Sequence, residues 1–455
     1  MKDSKIVIIG NSFSSLLLST LIKERDVILI TNFNFIGGVF NGFKGVNGHF
    51  DLGMNYFELY PNVKSDPTRF DSNKRNDFLN HTDSINDFIE NNITLKKVQD
   101  GEVYINGSFH KDYLIFDNLE YLNSLPTLDK EKILSEIKSS NDLIHPKNKL
   151  KSSHYFESSY ETISKELFGE YFYENLLDPF LQKSLNISGK QLPAILHRLA
   201  WLPIFYPESV VNSVKGNVFK SIPSFYYPQN SNFSEIIDKL KQQVKESKNI
   251  TVLKDEVLSI KNNTVTLRKD KHQINYKKLF WGKNIYELDK LFNKDRVISD
   301  KTSIIICFVS VERKNLIKTF SVLNLVDFRT PIYRITNQSI NDNVTENLKI
   351  SVEINKKYLR SKSPLLDVFD EVNKFFIDNN IILKSLSTNS IQIMEFDNIL
   401  ELPTFENYER FKQMKGKYKT FDFLSPSSSF YSNSINEQII ESIKHSKILN
   451  DELSR

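Results

Sequence analysis

The chain has 455 residues, with 60 lysines and arginines against 56 aspartates and glutamates, and a formal net charge of +4. This near balance creates no strong field for nucleic acid or for a membrane surface, so neither is expected as a partner. With 40% hydrophobic residues the sequence can form a large core, and its length favours two or three domains.

The first predicted unit is a strand, a turn, a helix and a second strand at the N-terminus. Residues 6–9 form a short, β-branched apolar run that is typical of a buried parallel strand, and Gly10 ends it. Residues 16–22 give one broad apolar helical face, and residues 26–30 form a second buried strand. Such a βαβ unit presents a helix N-terminus to a pyrophosphate.

The glycine pattern of a dinucleotide site, G-x-G-x-x-G, is incomplete in this unit. Gly10 occupies the first position, where it allows the tight turn, but Ser12 and Ser15 stand at the other two. The acid expected at the end of the second strand is replaced by Thr31 and Asn32, which can bond a ribose hydroxyl only without the charge of a carboxylate. Taken alone, this fingerprint is weak.

Two elements after the second strand strengthen the fingerprint. Gly37 and Gly38 form a paired glycine, and Phe50-Asp51-Leu52-Gly53 follows a little later. In the order and spacing of these elements the chain resembles the flavin-dependent amine oxidase and protoporphyrinogen oxidase-like superfamily, which includes the UDP-galactopyranose mutases. There, an I-G-G-R and a F-D-x-G element lie beside the flavin. In this chain Val39 stands in place of the Arg.

The central part of the chain predicts a hairpin and a helical region. Residues 102–110 predict a hairpin that turns at Asn106-Gly107. Residues 116–144 are mostly helical, and Pro126 is expected to divide them into two pieces.

A second stretch of resemblance covers residues 156–180, which look like the substrate-domain helices of the same superfamily. One helix is expected to end at Gly169, and Pro179 is expected to interrupt the next. His197 and Arg198 follow. They are either helix-surface and core-edge residues or groups that meet an anion in a ligand-facing domain.

Residues 224–281 predict a Tyr-Pro element, a helix over 233–248, and strands over 250–253, 255–260, 264–267 and 278–281 that form a small antiparallel set. The resemblance implies that the backbone of Val257 meets an adenine, whereas the residues alone indicate a buried strand position.

Residues 302–400 alternate short predicted strands with a helix near 365–379. Arg329, Arg334 and Asn337 are predicted at strand ends. They resemble the sheet that, in this superfamily, lies above the substrate pocket and the flavin.

The C-terminal part resembles the last two elements of the superfamily. Asp422 ends the predicted strand 419–422, and the resemblance implies that it lies near the flavin ribityl and phosphate. Residues 431–438 resemble Y-x-G-S-I-N-G-A, which begins the final helix with its N-terminal amides at the flavin; Ser434 and Ile435 match it. Three small residues of that motif are replaced, by Asn433, Glu437 and Gln438. A glutamate beside a reduced-flavin anion raises the energy of that state.

The resemblance implies FAD as the cofactor, a small-molecule substrate, and a set of cofactor-binding positions. Asn55, next to Met54 at the expected flavin face, is the one candidate for a polar pocket group, and the sequence identifies no catalytic residue. The positions are Gly10, Ser12, Phe13, Ser14, Thr31, Asn32, Gly37, Gly38, Gly53, Met54, Asn55, Val257, Asp422, Ser434 and Ile435.

Cellular location is also indicated by the sequence. The single cysteine, Cys307, excludes an intramolecular disulfide and fits a reducing compartment, and its apolar surroundings predict packing in a buried strand. No secretory cleavage pattern follows the first helix, and no window reaches the roughly 18 apolar residues of a membrane span. We therefore expect a cytoplasmic protein. No His/Cys/carboxylate cluster has metal-ligand spacing.

The predicted fold is α/β: a Rossmann-like FAD/NAD(P)-binding domain with a second, α+β substrate domain, in the two-domain architecture of the amine oxidases. Residues 1–85, 215–295 and 397–455 are expected to form the FAD-binding domain, and residues 86–214 and 296–396 the substrate domain. The ligand cleft is expected between them.

Two functions stay open. The first is an FAD-dependent oxidoreductase that takes a hydride from its substrate, with a sugar nucleotide or glycan intermediate as the substrate class that the resemblance suggests. The second is a cofactor-free homologue that acts as a binding or scaffolding protein, because the replaced residues concentrate at the cofactor. The two differ in whether the helix amides near Gly10 and Ser434 are free. The oligomeric state is not predicted.

Overall fold

A computed structural model of the chain describes residues 5–23, 25–31, 37–59, 81–140, 153–217, 224–230, 232–293, 298–359, 364–430 and 434–451. Asn32 and Asn433, which the sequence singled out, lie outside these residues. Across the described ranges, no helix combines the length and the apolar character that crossing a membrane requires.

We call the five-stranded parallel sheet and the helices that accompany it the first unit. Its strands are β1 (Ile6–Gly10), β2 (Val27–Thr31), β10 (Ile250–Lys254), β14 (Lys278–Gly282) and β20 (Asp422–Phe423). They lie in the order β10-β2-β1-β14-β20. β1 and β2 are buried at every residue, as expected for a sheet that is covered on both faces.

The predicted small antiparallel set is wrong for two of its strands. β10 pairs with β2 and β14 pairs with β1, both in parallel. The antiparallel set contains instead β11 (Val257–Lys261), β12 (Thr264–Leu267) and β13 (Gln273–Asn275). The partners of β10 and β14 are distant in sequence, so the local pattern of alternation could not identify them.

Five helices accompany the parallel sheet: α1 (Phe13–Leu21), α10 (Ser234–Glu246), α11 (Ile285–Phe292), α13 (Phe405–Lys417) and α14 (Ile435–Asp451). α14 packs along α1, where the Ser442 hydroxyl donates a hydrogen bond to the Ser14 carbonyl oxygen at 3.2 Å. The first and last helices of the described chain therefore lie side by side at the edge of the nucleotide-type turn.

We call the seven-stranded mixed sheet and the helix that covers one of its faces the second unit. Its strands are β7 (Glu102–Ile105), β8 (Ser108–Lys111), β15 (Lys301–Glu312), β16 (Val322–Leu325), β17 (Ile332–Asn337), β18 (Asn347–Asn355) and β19 (Ile391–Glu401). They lie in the order β19-β15-β18-β17-β16-β7-β8. α12 (Pro364–Asp378) covers one face through an apolar core, in which Val372 and Phe376 join Ile335, Val352 and Ile354.

The described chain has eight further α-helices. They are α2 (Thr82–Asn92), α3 (Glu120–Ser124), α4 (Thr127–Ser140), α5 (Ser153–Glu157), α6 (Tyr160–Phe168), α7 (Glu170–Phe172), α8 (Asp178–Leu185) and α9 (Pro207–Val214). The remaining strands are β3 (Phe43–Gly45), β4 (Gly48–Phe50), β5 (Phe57–Leu59), β6 (Leu95–Lys97) and β9 (Ser224–Pro228).

Several local predictions are confirmed. Asn106 and Gly107 form the turn between β7 and β8, with φ of 52° and 79°. The helical region divides at Pro126, between α3 and α4. Gly169 ends α6 with a φ of 86°, which is a conformation that favours glycine. The prediction that Pro179 interrupts a helix is wrong, because the helical backbone runs from Glu170 through a π-helical turn at Tyr173–Leu177 into α8. The π turn lies directly before the proline, whose missing N–H it accommodates.

One buried side chain ties together the segment before β15 and the segment after β19. The Asn407 Nδ2 donates to the carbonyl oxygens of Asp300 at 2.8 Å and of Leu402 at 2.9 Å. Its Oδ1 accepts the Asp300 N–H at 2.9 Å. Asp300 directly precedes β15 and Leu402 directly follows β19, so both connections meet at Asn407.

Candidate functional site

The turn from β1 into α1 has the shape of a dinucleotide-binding turn. Gly10 ends β1 and Ser12 caps α1. The Gly37 N–H donates to the Asn11 carbonyl oxygen at 2.8 Å, and Gly38 continues the chain with a φ of 59°. The structure therefore brings these four predicted site residues together around one turn.

Ser15 takes the place of the third motif glycine, and Gly282 makes room for it. Gly282 ends β14 and lies beside Gly10 in parallel register. A Cβ atom at Gly282 would lie 2.0 Å from the Ser15 Oγ, a distance at which one group must move. The helix thus keeps its close approach to the sheet, because the missing Cβ is on the strand and not on the helix.

Side chains of the protein itself occupy the first-turn amides of α1. The Ser14 N–H donates to the Gln438 Oε1 at 3.1 Å, and this contact is buried. The Ser15 N–H donates to the Ser12 Oγ at 3.2 Å. Free first-turn N–H groups are what give a helix N-terminus its affinity for phosphate. Two of these groups in α1 are already paired.

The start of α14 is closed by a capping box. The Ser434 Oγ accepts the Glu437 N–H at 3.3 Å, and the Glu437 Oε2 accepts the Ser434 N–H at 3.3 Å. A carboxylate here stabilises the helix through its dipole. The same carboxylate repels an anion that approaches the helix end. Ile435 follows and is buried.

The remaining predicted cofactor residues of the first unit serve its core or its sheet. Phe13 is buried against Phe40, with ring centroids 5.9 Å apart. Thr31 is buried at the end of β2, in register with Lys254 of β10. Val257 begins β11 and is partly exposed, so the interpretation of a buried strand position is wrong for this residue.

Asp422 lies in β20, beside Phe280 of β14. Phe280 lies two residues before Gly282, where β14 ends beside the turn. Its carboxylate pairs with the Lys278 Nζ at 2.9 Å. Lys278 is the first residue of β14, so the Asp422 carboxylate is bound on the side away from the turn.

Asp51 anchors the loop that follows β4. Its carboxylate accepts hydrogen bonds from the Tyr227 hydroxyl and from the Phe233 N–H, the latter at 3.2 Å. Gln338 bonds both backbone groups of Asp51, at 2.9 Å and 2.8 Å. Burial raises the pKa of Asp51 to about 7, although the two hydrogen bonds to the carboxylate act in the opposite direction. Asp51 therefore connects the two units.

The same loop packs against the second sheet. A Cβ atom at Gly53 would lie 3.2 Å from the Glu353 Oε1. Met54 packs against the apolar core to which β1 and α1 contribute. The Tyr56 hydroxyl donates to the Ser321 carbonyl oxygen at 3.2 Å. The Asn55 Nδ2 is buried and has no hydrogen-bond partner in the described part of the chain.

Arg334 and Glu353 form a buried ion pair on the sheet face that α12 does not cover. The Arg334 Nε lies 2.7 Å from the Glu353 Oε1, and its Nη2 lies 2.6 Å from the Oε2. The Tyr333 hydroxyl donates to the same Oε2 at 2.8 Å. The guanidinium also stacks on Trp201, 4.1 Å from the ring centroid. Arg334 and Glu353 each expose 3% of their surface, so water does not screen the pair.

The three polar residues predicted at strand ends are placed differently. Arg334 lies within β17, which corrects its prediction, whereas Asn337 ends that strand. Arg329 precedes the strand, is largely exposed, and pairs with Asp327. Of the three, Arg334 alone has its charge on the buried polar face.

Polar atoms without partners lie on this same face. Thr336 stands opposite Ser351, and Arg334 stands opposite Asn324. Arg334 and Thr336 are two residues apart, so their side chains share one face of the strand. The Arg334 Nη1, Thr336 Oγ1, Ser351 Oγ and Asn324 Oδ1 are buried and have no hydrogen-bond partner among the residues described. We call the face formed by Asn324, Arg334, Thr336, Ser351 and Glu353 the polar face.

Asp112 adds a carboxylate beside the polar face. Its Oδ2 accepts the Asn324 Nδ2 at 3.2 Å. Three consecutive backbone N–H groups, those of residues 114–116, also donate to the two oxygens of this carboxylate. Burial raises the pKa of Asp112 to about 6, against the opposing effect of these bonds.

His197 and Arg198 are not on the polar face. The His197 Nδ1 bonds the Leu202 carbonyl oxygen at 2.8 Å, and the Arg198 Nη1 lies 4.0 Å from the Asp117 carboxylate. These contacts match the interpretation as core-edge residues. Within the described ranges, no group of three or more His, Cys, Asp or Glu residues could hold a metal ion.

Sequence reasoning did not identify Glu353, Ser351, Thr336 or Trp201. A signal was available in β18, where Asn-Leu-Lys-Ile-Ser-Val-Glu-Ile-Asn alternates polar and apolar residues. The strand is nevertheless buried on both sides from Ile350 to Asn355. Polar residues at alternate positions of a doubly buried strand indicate a functional or networked face.

FAD is the cofactor that the sequence resemblance implies, and the phosphate-binding turn of this chain does not fit it. The Ser14 N–H is bonded by Gln438, and Glu437 places a carboxylate at the start of α14. Val39 is 56% exposed at the position where an arginine is expected, and it offers no positive charge. The glycines keep the shape of the turn, but two of the first-turn amides of α1 are paired and the arginine is missing.

No family model matches the sequence, and no curated protein compared with it matches either. Solved structures do match the fold. UDP-galactopyranose mutase in its reduced form has a TM-score of 0.73 at 14% identity, over 98% of this chain and 96% of that chain. A structure named as a protoporphyrinogen oxidase, from Exiguobacterium sp. 255-15, has a TM-score of 0.67 at 12% identity, over 100% of both chains. Cyclohexylamine oxidase from Brevibacterium oxydans IH-35A has a TM-score of 0.57 at 10% identity, over 100% of both chains.

These matches confirm the predicted fold. The chain has the amine oxidase-like α/β architecture over its whole length, with the mutase, the oxidases and this chain sharing one topology. At these identities the likeness concerns the fold alone. The activity must be argued from the residues of this chain.

Proposed function

We propose that this chain binds an uncharged, hydroxyl-rich molecule, a sugar or the sugar part of a sugar nucleotide, against the polar face. The observation that carries the proposal is the set of buried polar atoms without partners on this face and on Asn55 beside it. Leaving one buried donor or acceptor unpaired costs about 1–3 kcal/mol. Several on one face indicate a ligand that pairs with them.

The charges of the polar face favour an uncharged ligand group. Glu353 balances Arg334 within hydrogen-bond distance, and Asp112 adds negative charge when it is ionised. Among the five residues of the polar face Arg334 is the single cation, and Glu353 balances its charge.

The free atoms favour a ligand with several hydroxyl groups. The Arg334 Nη1 and the Asn55 Nδ2 donate, the Asn324 Oδ1 accepts, and the hydroxyls of Thr336 and Ser351 do both. A sugar ring presents such mixed donors and acceptors at spacings of a few ångströms. A cytoplasmic location is part of this proposal, in agreement with the single, buried cysteine.

Calorimetric titration with free monosaccharides, UDP and UDP-sugars tests the proposal. We expect a sugar or a UDP-sugar to bind, and Thr336→Val or Ser351→Ala to weaken binding by about tenfold, which corresponds to 1.4 kcal/mol. Ser387→Ala, an exposed serine of the same unit, is the matched control. The proposal is wrong if no sugar binds, or if UDP alone binds as tightly as the UDP-sugars.

A second candidate is the activity that the fold suggests, an FAD-dependent oxidoreductase that acts on a sugar nucleotide or glycan intermediate. It is favoured by Gly10, Gly37, Gly38 and Gly53, which keep the turns of a dinucleotide site. It requires Gln438 to leave the Ser14 amide. Flavin absorbance bands that stay with the protein through gel filtration would support this candidate. A colourless protein that does not retain added FAD would leave the first candidate, a binding protein without a cofactor.

A further inference from the structure

We infer that the Gln438 carboxamide takes the place of a cofactor phosphate at the start of α1, and that Gln438 and Glu437 together prevent FAD from binding there. This inference is independent of the sugar proposal, because it involves none of the residues of the polar face. It rests on two hydrogen bonds between α1 and α14 and on the charge of Glu437 in the first turn of α14.

The first contact is the hydrogen bond from the Ser14 N–H to the Gln438 Oε1, at 3.1 Å. Its two residues are 424 positions apart and both are buried, Ser14 fully and Gln438 with 6% exposed. The Oε1 carries a partial negative charge and points at the positive end of the α1 dipole. It thus occupies the position, relative to that amide, that an anionic oxygen takes at a helix N-terminus.

The second contact binds the other backbone group of Ser14, its carbonyl oxygen. Ser442 lies one turn further along α14, and its hydroxyl donates to the Ser14 carbonyl oxygen at 3.2 Å. The backbone groups on both sides of Ser14 are therefore bound by the same face of α14. Moving Gln438 away would leave the Ser14 N–H buried and unpaired unless a ligand replaced it.

The third observation is a negative charge at the start of α14. Glu437 closes the capping box with Ser434 and keeps its carboxylate at the end of α14. A pyrophosphate at the neighbouring end of α1 would meet this negative charge in a partly buried setting, where repulsion is stronger than in water. Neither Val39 nor Thr31 supplies a compensating cation.

The alternative is that Gln438 only stabilises the packing of α1 against α14. In that case its removal would loosen the packing of α1 on α14 without creating a phosphate site. Ser442→Ala is the matched control for this alternative, because it removes a bond between the same two helices and leaves the Ser14 N–H paired.

The experiment compares the wild-type chain with Gln438→Ala, with Gln438→Ala combined with Glu437→Gly, and with Ser442→Ala. Quenching of flavin fluorescence during titration gives the affinity for FAD, and thermal shift with inorganic pyrophosphate reports the phosphate position alone. We expect the wild-type chain and Ser442→Ala to retain no FAD through gel filtration. We expect the double variant to bind FAD at least tenfold more tightly than the wild type and to be stabilised by pyrophosphate.

Two results would overturn the inference. One is wild-type protein that retains FAD and shows its absorbance bands, a result that needs no variant to fold. The other is a double variant with native circular dichroism that binds FAD and pyrophosphate no better than the wild type. Sugar titration of the wild type remains a separate readout, so failure here and failure of the sugar proposal are distinguishable.

Discussion

Replacing Glu353 by glutamine removes one charge of the buried pair and leaves the other. Arg334 then keeps its charge at 3% exposure, with no carboxylate to balance it. Of the two short bonds, at 2.7 Å and 2.6 Å, one is lost because the glutamine amide nitrogen cannot accept, and the other loses its anionic acceptor. For a charge separation of about 4 Å and an effective dielectric constant of about 20, the lost attraction is about 4 kcal/mol. This agrees with the 3–5 kcal/mol, roughly, by which breaking a buried pair destabilises a protein.

The assay is urea unfolding of Glu353→Gln, followed by circular dichroism and by tryptophan fluorescence, since Trp201 stacks on the Arg334 guanidinium. The control is the double variant Arg334→Met with Glu353→Met, which removes both charges and is expected to recover most of the stability. A loss below about 1 kcal/mol in Glu353→Gln, the value of an exposed pair, would refute the reasoning. A double variant less stable than the single one would refute it too.

Three further predictions concern the first unit and the cysteine. Gly282→Ala is expected to lower the melting temperature, because its Cβ would lie 2.0 Å from the Ser15 Oγ and overpacking costs about 1–3 kcal/mol; Ser15→Gly in the same chain should restore it, and absence of rescue would contradict the steric account. Burial raises the pKa of Asp51 to about 7, above its unfolded value of about 4, so between these two pH values the folded chain holds a proton that the unfolded chain has lost. The free energy of unfolding therefore falls, by up to about 4 kcal/mol, as the pH rises from about 4 to about 7, and is level above that. Asp51→Asn does not titrate and should show a flatter dependence of the urea midpoint on pH, whereas parallel curves would contradict the assignment. Cys307 is fully buried, and burial raises the pKa of its thiol; it should react with a thiol reagent only after unfolding, and rapid reaction of the native chain would be inconsistent with this burial.

The sequence predicted those features that depend on neighbouring residues. Strands β1 and β2, the turn at Gly10, the hairpin at Asn106 and the helix end at Gly169 each follow from a short pattern with one physical cause. The pairing of β14 with β1 could not be predicted in this way, because the two strands lie more than 260 residues apart in the chain. Resemblance placed these strands in order but did not provide their partners.

The site shows the same division. Gln438 could be named as a departure from the superfamily pattern, and its consequence for charge and size could be stated. Its contact with the Ser14 N–H depends on how α14 lies along α1, which no local pattern specifies. Arg334 could be named as a pocket residue, but its partner Glu353 comes from another strand, and the pair becomes evident only when β17 and β18 are in register.

Asn407 has a consequence for motion. It holds the segments before β15 and after β19 with three hydrogen bonds, and it is fully buried. The start of β15 and the end of β19 are therefore expected to move together, because separating them would break these buried bonds. The Asp300 amide, bonded to the Asn407 Oδ1 at 2.9 Å, would then exchange its hydrogen only at the rate at which this junction opens.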